Sequence, residues 1–256
     1  KRFRTRDRVF ARVGKESGGA FAEQACIDEA YAAHMPRNLD FATAAAVPLA
    51  GLTALQALRD QLRILPGQKV LISGGAGGVG TFAIQIAKWL GSFVTTTASK
   101  RGEPLVRSLG CDEVIDYTSQ DISRVSDRFD AGFDLIGGKT LDQMFDVMKP
   151  GTGIVSVAAL PEPQTAIEDL GGRSALAVLF WIISYTIRSR ARRANVAYRY
   201  LFMHPSGSEL AELGALIEQE RLKVIVDRAF SFGEIPEALA YVESGRAKGK
   251  VVVTMG

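Results

Sequence analysis

One short stretch constrains the fold of this chain more than any other feature. Residues 70–91 read VLISGGAGGVGTFAIQIAKWLG, which is an apolar run, a cluster of glycines and then a helical pattern. In the last part, Phe82 and Ile86 have the spacing of one helix face, and the final glycine is typical of a helix end. The stretch therefore predicts a buried strand, a tight turn and an amphipathic helix in direct succession.

The glycines in this turn have the spacing of a phosphate-binding loop. Gly75, Gly77 and Gly80 satisfy G-x-G-x-x-G, and Gly74 and Gly78 extend the cluster. Because glycine lacks a Cβ atom, the backbone can approach a pyrophosphate, and the N-terminus of the following helix supplies N–H donors. A lone match is weak, since any strand-to-helix turn can use glycine. Its place between a buried strand and an amphipathic helix predicts dinucleotide binding.

The rest of the central region alternates between strand and helix patterns. The strand-like runs are FVTTTAS, EVIDY, FDAGFDLI and GIVSVAAL, and helical runs such as GEPLVRSLG and TLDQMFDVM separate them. Alternation of this kind favours right-handed crossovers and a parallel sheet with helices on both faces. We therefore predict an α/β fold with a Rossmann-type, doubly wound parallel sheet.

Composition excludes several other classes of protein. The net charge of +3 on 256 residues is too small to indicate nucleic acid, and we predict no such partner. Cys26 and Cys111 stand apart without C-x-x-C spacing, which excludes a disulfide scaffold and a cysteine-rich zinc site. Free cysteines fit a reducing compartment, and we expect a cytoplasmic location.

Two rival enzyme motifs fail on single residues. The segment GFDLIGGKT resembles a P-loop, but Phe133 stands where G-x-x-x-x-G-K-[ST] requires glycine. A short-chain reductase would need Tyr-x-x-x-Lys as its proton donor, and no tyrosine here has a lysine four positions later.

The residues after the second strand indicate which nucleotide is bound. An NAD-specific site usually has Asp or Glu there, which accepts from the ribose 2′-OH. Here the sequence is Ser99-Lys100-Arg101, and the first carboxylate is Glu103. A hydroxyl and two cations suit a 2′-phosphate, which an acid would repel. We predict NADP(H) as the cofactor; the alternative is a solvated Lys-Arg loop.

Several motifs together resemble a known family. AAAVPLAGLTALQAL, GGAGGVGTFAIQIAKWLG, LVRSLGCDEVIDY, FDLIGG and VESGRAKGKVVV occur in this order. In this order and spacing they resemble the zinc-free quinone oxidoreductase branch of the medium-chain dehydrogenase/reductases. Within that branch the chain is most similar to bacterial relatives of the reticulon-interacting mitochondrial oxidoreductase.

The resemblance implies two domains. A GroES-like, β-rich catalytic domain would comprise residues 1–52 and 204–256, with a Rossmann domain at 53–203 inserted between them. The family carries several tens of residues before a GDRV motif, and this chain begins there with Arg6 in place of that glycine. We therefore expect the catalytic domain to lack its N-terminal part.

The resemblance also implies roles for single residues. Residues 76–79 would meet the pyrophosphate, Ser99 and Lys100 the 2′-phosphate, and Thr53 the nicotinamide as the candidate catalytic residue. Tyr117 would lie beside the adenosine or its phosphate, or else is a half-buried strand-end tyrosine. Residues 200–202 would close over the nicotinamide, with core packing as the alternative, and Gly137 would lie under the ribose. The predicted cofactor-binding residues are Gly75, Ala76, Gly77, Gly78, Val79, Gly80, Ser99, Lys100, Tyr117, Gly137, Tyr200, Leu201 and Phe202.

No zinc site is expected, because the cysteine-rich lobe of the zinc-dependent cousins is missing and His34 and His204 are isolated. The implied reaction is NADPH-dependent hydride transfer to a quinone or an activated alkene or carbonyl compound. The alternative is a catalytically inactive NADPH-binding module that acts through protein or membrane contacts.

The last unusual feature is the segment 175–193, an apolar run that is followed by arginines. ALAVLFWIISYTI is too short to span a bilayer, and four arginines follow it. We favour a helix that covers the substrate cleft or forms a homodimer interface. The alternative is a helix on a membrane surface, with arginines at anionic headgroups.

Overall fold

The computed structural model describes residues 2–14, 19–172 and 174–255, so that the outermost residues of the predicted domains, 1 and 256, lie outside it. Within these ranges the chain forms ten strands and ten α-helices. The strands are β1 Val9–Ala11, β2 Ala32–His34, β3 Lys69–Ile72, β4 Phe93–Ala98, β5 Glu113–Asp116, β6 Phe129–Asp134, β7 Met148–Ser156, β8 Ala197–Tyr200, β9 Val226–Ser231 and β10 Lys250–Thr254. The helices are α1 Phe41–Ala45, α2 Val47–Leu55, α3 Gly80–Trp89, α4 Glu103–Ser108, α5 Gly138–Val147, α6 Pro163–Glu168, α7 Ser174–Ile183, α8 Tyr185–Ala194, α9 Gly207–Glu218 and α10 Ile235–Glu243.

The chain divides into two compact units. The first, here called the terminal unit, comprises Lys1–Ala54, Gly77–Phe82 and Met203–Gly256. The second, the central unit, comprises Leu55–Ala76 and Ala83–Phe202. The assignment of a catalytic and a cofactor domain to these parts of the chain stays a prediction.

The central unit is built on a six-stranded sheet in the order β5-β4-β3-β6-β7-β8. Every neighbouring pair in it is parallel. Numbered from its own first strand, this sheet has the order 3-2-1-4-5-6, which is typical of dinucleotide-binding folds. The predicted α/β fold with a parallel sheet is confirmed.

The apolar runs of the sequence fill the interior of this unit. Val70, Leu71 and Ile72 of β3 are fully buried, as are Phe129 and Phe133 of β6. Strands that are covered on both faces bury successive residues rather than alternate ones, which is why these runs are continuous in the sequence. The amphipathic helix α5 contributes further buried side chains to the same cluster, namely Leu141, Met144, Phe145 and Val147.

A buried carboxylate ties the carboxyl ends of three strands together. Asp134, the last residue of β6, is fully buried. Its Oδ1 accepts from Ser73 Oγ at the end of β3 (2.9 Å), and its Oδ2 accepts from Ser156 Oγ at the end of β7 (2.7 Å). The N–H groups of Ile136 and Gly137 also donate to Asp134. These bonds satisfy a group whose unpaired burial would be costly, and they fix the loop that leads into α5.

The described part of the terminal unit holds two small sheets. β1 and β2 pair antiparallel, with Val9 opposite His34. β9 and β10 pair parallel, with a register shift between Lys250 and Val251. Gly77, before α3, forms an isolated parallel bridge with Gly249, directly before β10. The glycine turn is thus joined by backbone pairing to the C-terminal part of the chain.

We predict that Gly137→Ala lowers the free energy of unfolding by about 3 kcal/mol or more. Its φ of +74° and ψ of −165° suit glycine alone. An added Cβ would also lie 2.5 Å from the carbonyl oxygen of Ala158. Urea unfolding of the variant and the wild type measures the loss.

The neighbouring Gly138 supplies a matched control. Its φ is also positive, at +52°, but an added Cβ would meet nothing within 4 Å. Gly138→Ala should therefore cost only about 1 kcal/mol. Equal losses in the two variants would show that the contact with Ala158 does not matter.

Candidate functional site

The predicted cofactor residues of the central unit gather at one edge of its sheet. Because the strands are parallel, their carboxyl ends meet at the same edge, where ligands bind in open α/β sheets. The structure brings these predicted residues there: Gly75 and Ala76 after β3, Ser99 and Lys100 after β4, Tyr117 after β5, Gly137 after β6, Tyr200 at the end of β8, and Leu201 and Phe202 after it. The remaining predicted residues, Gly77, Gly78, Val79, Gly80 and Thr53, belong to the terminal unit.

The first part of the glycine turn is pinned against β4. The N–H of Gly74 donates to Thr97 Oγ1 (2.8 Å), and that of Gly75 donates to the Thr97 carbonyl (3.1 Å). A Cβ on Gly75 would lie 2.1 Å from Thr96 Oγ1, so this position excludes any larger residue. Packing alone therefore already requires glycine at position 75, independently of phosphate binding.

The second part of the turn lies against the start of β10. A Cβ on Gly78 would lie 2.7 Å from Lys250 Cδ and 3.2 Å from the carbonyl oxygen of Gly249. Burial lowers the pKa of the Lys250 ammonium from its usual value. The sequence alone does not single out Lys250, although the family-like segment GRAKGKVVV contains it.

The residues after β4 form a short turn with a basic surface. The carbonyl of Ser99 accepts from the N–H groups of Gly102 (2.7 Å) and Glu103 (3.0 Å). Lys100 and Arg101 are exposed. The nearest carboxylate in sequence, Glu103, is bound along its own helix by Arg107 Nε (2.8 Å). The Arg107 guanidinium partly offsets the charge of this acid.

A second carboxylate, Asp116, lies at the end of β5. Hydrogen bonds from the Thr118 hydroxyl and N–H hold the pKa of Asp116 below its usual value, and the charge of Lys100 adds to this effect. Asp116 Oδ1 accepts both bonds, whereas its buried Oδ2 has no hydrogen-bond partner among the described residues. Lys100 therefore lies within the electrostatic reach of a carboxylate that Thr118 already binds.

Tyr117 follows directly and borders a cavity of about 360 Å³. The residue is 59% exposed, so its ring is accessible to a ligand. The polar wall of the cavity includes Thr118, Lys139, Gln143 and Asp121. Because Asp121 accepts from the Gln143 amide (2.8 Å) and carries a negative charge, the cavity suits an aromatic base better than a phosphate.

The segment after β8 is held by an ion cluster. Arg199 donates to Glu162 (2.7 Å), Glu168 (2.9 Å) and Asp169 (3.0 Å). Glu162 Oε2 also accepts from the Tyr200 N–H (3.1 Å), and the N–H of Leu201 donates to the Ser156 carbonyl (2.9 Å). Leu201 is buried and Phe202 is exposed. The backbone of residues 200–202 is therefore fixed, while one ring faces outward.

Thr53, the candidate catalytic residue, lies inside α2. Its side chain is buried, and its Oγ1 donates to the carbonyl of Leu49 (2.7 Å). The hydroxyl proton is thus occupied by the helix backbone, and the oxygen keeps acceptor capacity. The described geometry suits an orienting role better than proton donation.

In the part of the chain that the structure describes, no group of three or more His, Cys, Asp or Glu side chains is placed to hold a metal ion. His34 packs edge-on against Phe3, with ring centroids 5.0 Å apart. Burial raises the pKa of the Cys111 thiol to about 11, so it stays protonated at neutral pH. A zinc-free mechanism stays a prediction.

Comparison with known proteins gives consistent relatives. A family model described as zinc-binding dehydrogenase matches residues 109–253. The mitochondrial NAD(P)H oxidoreductase RTN4IP1 of Danio rerio is 34% identical over 262 residues, covering 100% of this chain and 67% of that protein. The chloroplastic NADPH-dependent alkenal/one oxidoreductase of Arabidopsis thaliana is 33% identical over 257 residues, covering 96% of this chain and 57% of that protein.

Nearly the whole chain also has the fold of a solved structure. The quinone oxidoreductase from Coxiella burnetii matches with a TM-score of 0.83 and 32% identity, covering 98% of this chain and 72% of that one. The chain thus spans between 57% and 72% of the length of these three proteins. These comparisons confirm the resemblance noted in the sequence. The chain belongs to the medium-chain dehydrogenase/reductase superfamily and, within it, to the NAD(P)H-dependent oxidoreductases that include quinone and alkenal reductases.

Proposed function

We propose that this protein binds NADPH and reduces a quinone or an activated alkene or carbonyl compound by hydride transfer, without a metal ion. One observation carries the proposal: the glycine turn and a basic turn follow adjacent parallel strands, and the nearest carboxylate in sequence, Glu103, is bound by Arg107. The relatives support the reaction class, since their names include quinone and alkenal/one oxidoreductases.

The residues present fit a dinucleotide. Side chains at Gly75 and Gly78 would clash with Thr96 and Lys250, so the turn requires glycine there. The N–H groups of Gly74 and Gly75 already donate to Thr97, so a pyrophosphate would be met by residues 76–79, as the resemblance implies. Lys250, beside Gly78, would place a cation near the same phosphates. Ser99 and Lys100 would hold the 2′-phosphate, and Tyr117 would lie beside the adenosine. The remaining assignments, at Gly137, Thr53 and residues 200–202, follow the resemblance.

Preference for NADPH over NADH rests on charge. A 2′-phosphate gains charge-assisted hydrogen bonds from a hydroxyl and an ammonium, which a 2′-OH cannot match in strength. Glu103 is held by Arg107, and Asp116 Oδ1 is held by Thr118. The Arg107 guanidinium partly offsets the charge of Glu103. Asp116 keeps its charge, because the hydrogen bonds from Thr118 lower its pKa, so the preference is proposed to rest on Ser99 and Lys100 themselves.

The protein's part in the chemistry is to bind, orient and exclude water. Bound NADPH supplies the hydride. Reduction of a quinone needs no strong general acid, because the hydroquinone oxygen can take its proton from water. This suits Thr53, whose proton is held by Leu49 and whose oxygen can only orient a neighbouring donor.

The partners follow from the same proposal. We propose a small-molecule acceptor and no nucleic acid, with a cytoplasmic location as the expectation from the free cysteines. The named relatives are mitochondrial and chloroplastic, so location is a property to measure. Residues 175–193 are proposed to contact a second copy of the chain or a membrane surface.

We predict that Lys100→Glu weakens NADPH binding by about 10- to 100-fold and leaves NADH binding nearly unchanged, because the lost ion pair involves only the 2′-phosphate. Titration followed by nicotinamide fluorescence measures both affinities. Arg63→Glu, an exposed site whose Nε lies 3.3 Å from the carbonyl of Asp60, is the charge-matched control. An equal loss for both nucleotides would contradict the assignment of Lys100.

Lys250→Met should behave differently, since Lys250 is proposed to lie beside the pyrophosphate that both nucleotides share. Methionine keeps the aliphatic contact with Gly78 and removes the charge. We expect about a tenfold loss of affinity for NADPH and for NADH alike. Lys149→Met, which removes an ion pair with Asp130, is the control and should change neither. A loss confined to NADPH would place Lys250 at the 2′-phosphate instead.

A measurement of turnover distinguishes the proposed reductase from a catalytically inactive NADPH-binding module. We expect NADPH oxidation that depends on added quinone or enone, persists after treatment with a chelator, and falls in Lys100→Glu through KM for NADPH. The assay uses the protein in the longest form that its gene encodes. Tight NADPH binding with no turnover across a broad panel of acceptors would favour the inactive module.

A further inference from the structure

The helix α7 exposes several large apolar side chains. None of the residues in Ser174–Ile183 is buried. Val178, Trp181 and Ile182 are 60%, 54% and 58% exposed. Contiguous apolar surface of this kind usually marks a site of contact with another molecule. The chain's own core does not use this helix, so something outside the described residues is expected to cover it.

Helix α8 follows α7 after a single residue, Ser184. The N–H of Ser184 donates to the Phe180 carbonyl (3.0 Å), and the N–H of Arg188 donates to the Ser184 carbonyl (2.9 Å). Tyr185, at the start of α8, is 60% exposed. An exposed apolar helix is thus followed directly by a helix whose last turn is basic.

Three of the arginines of α8 fall into two groups, one paired with aspartates of α5 and one exposed. Arg190 donates to Asp142 (2.9 Å) and is paired with Asp146, and this ties α8 to α5. Arg192 and Arg193, in the last turn of α8, are exposed. Residues 174–195 contain no Asp or Glu, so the segment itself offers these arginines no carboxylate.

The geometry allows contact along a surface but not passage through a bilayer. α7 has 10 residues, and at 1.5 Å per residue it is about 15 Å long, half the thickness of a hydrocarbon core. Over the described ranges, no helix is long and apolar enough to span a membrane. Exposed Trp and Tyr beside arginines are typical of helices that lie at the lipid–water interface.

We propose that α7 and α8 form a docking surface for an anionic lipid bilayer. The apolar side chains around Trp181 would enter the headgroup and acyl boundary, and Arg192 and Arg193 would meet lipid phosphates. A second copy of the chain suits the surface less well. A symmetric dimer through this patch would bring together two segments that carry arginines and, in residues 174–195, no carboxylate. The aspartates beside α8, Asp142 and Asp146, are already paired with Arg190.

Vesicle co-sedimentation tests the proposal on the folded protein. The probes are vesicles of phosphatidylcholine alone and of phosphatidylcholine with phosphatidylglycerol. We expect partition into the anionic vesicles, with a decrease of about tenfold or more in Trp181→Glu/Ile182→Glu. Leu65→Glu/Leu239→Glu, at sites with 60% and 56% exposure elsewhere, is the matched control and should partition like the wild type.

The charge contribution is tested in the same way. Arg192→Glu/Arg193→Glu should reduce partition into anionic vesicles by at least about tenfold. Arg63→Glu/Arg221→Glu, also at exposed sites, should not. Thermal unfolding of each variant shows that the fold is intact.

Two results would overturn the proposal. The first is absence of partition, or equal loss of partition in the test and control variants. The second is a dimer in sedimentation equilibrium that dissociates in Trp181→Glu/Ile182→Glu while vesicle binding is unaffected, which would assign this surface to a second copy.

Discussion

The carboxylate of Asp134 is the contact on which the carboxyl edge of the central sheet depends. It lies at the end of β6, between β3 and β7, and accepts from the serine that closes each of these neighbours. Its bonds to the N–H of Gly137 hold the loop where the backbone takes a conformation that only glycine adopts readily. A fully buried charge is stable only when such donors surround it. The same network therefore shapes the edge of the sheet at which a nucleotide is proposed to bind.

The glycine turn meets two demands at once. Gly75 leaves room for Thr96, and Gly78 leaves room for Lys250 and the backbone at Gly249, so the fold requires both glycines before any ligand arrives. The N–H groups of Gly74 and Gly75 donate to Thr97, so only residues 76–79 of the turn are proposed to face a phosphate. A G-x-G-x-x-G motif is weak on its own because packing and phosphate binding select the same residue type. Here the basic turn at Lys100, after the adjacent strand, favours phosphate binding over packing as the role of the motif.

Sequence periodicity was a reliable guide to the central unit and a poor one to contacts between distant segments. The alternation of apolar runs and helices predicted the parallel sheet, because strands buried on both faces must be apolar throughout. It could not show that Glu162 and Arg199 fix residues 200–202, since these charges lie in separate elements without a local pattern. The contacts of Arg199 with Glu162 depend on side-chain directions that only the assembled fold sets. The pairs Glu103–Arg107 and Asp116–Thr118, by contrast, lie four and two residues apart and are local contacts.

The sequence by itself determined the order of strands and helices, the position of the glycine turn and the basic residues after the second strand. Each of these follows from local properties: burial of apolar runs, freedom of glycine and charge. The tertiary structure decided that Arg199 binds Glu162, that Lys250 lies against Gly78, and that α7 has no buried residue. Those facts require segments far apart in the chain to meet or to stay apart, and the free energy of such contacts does not reside in either segment alone.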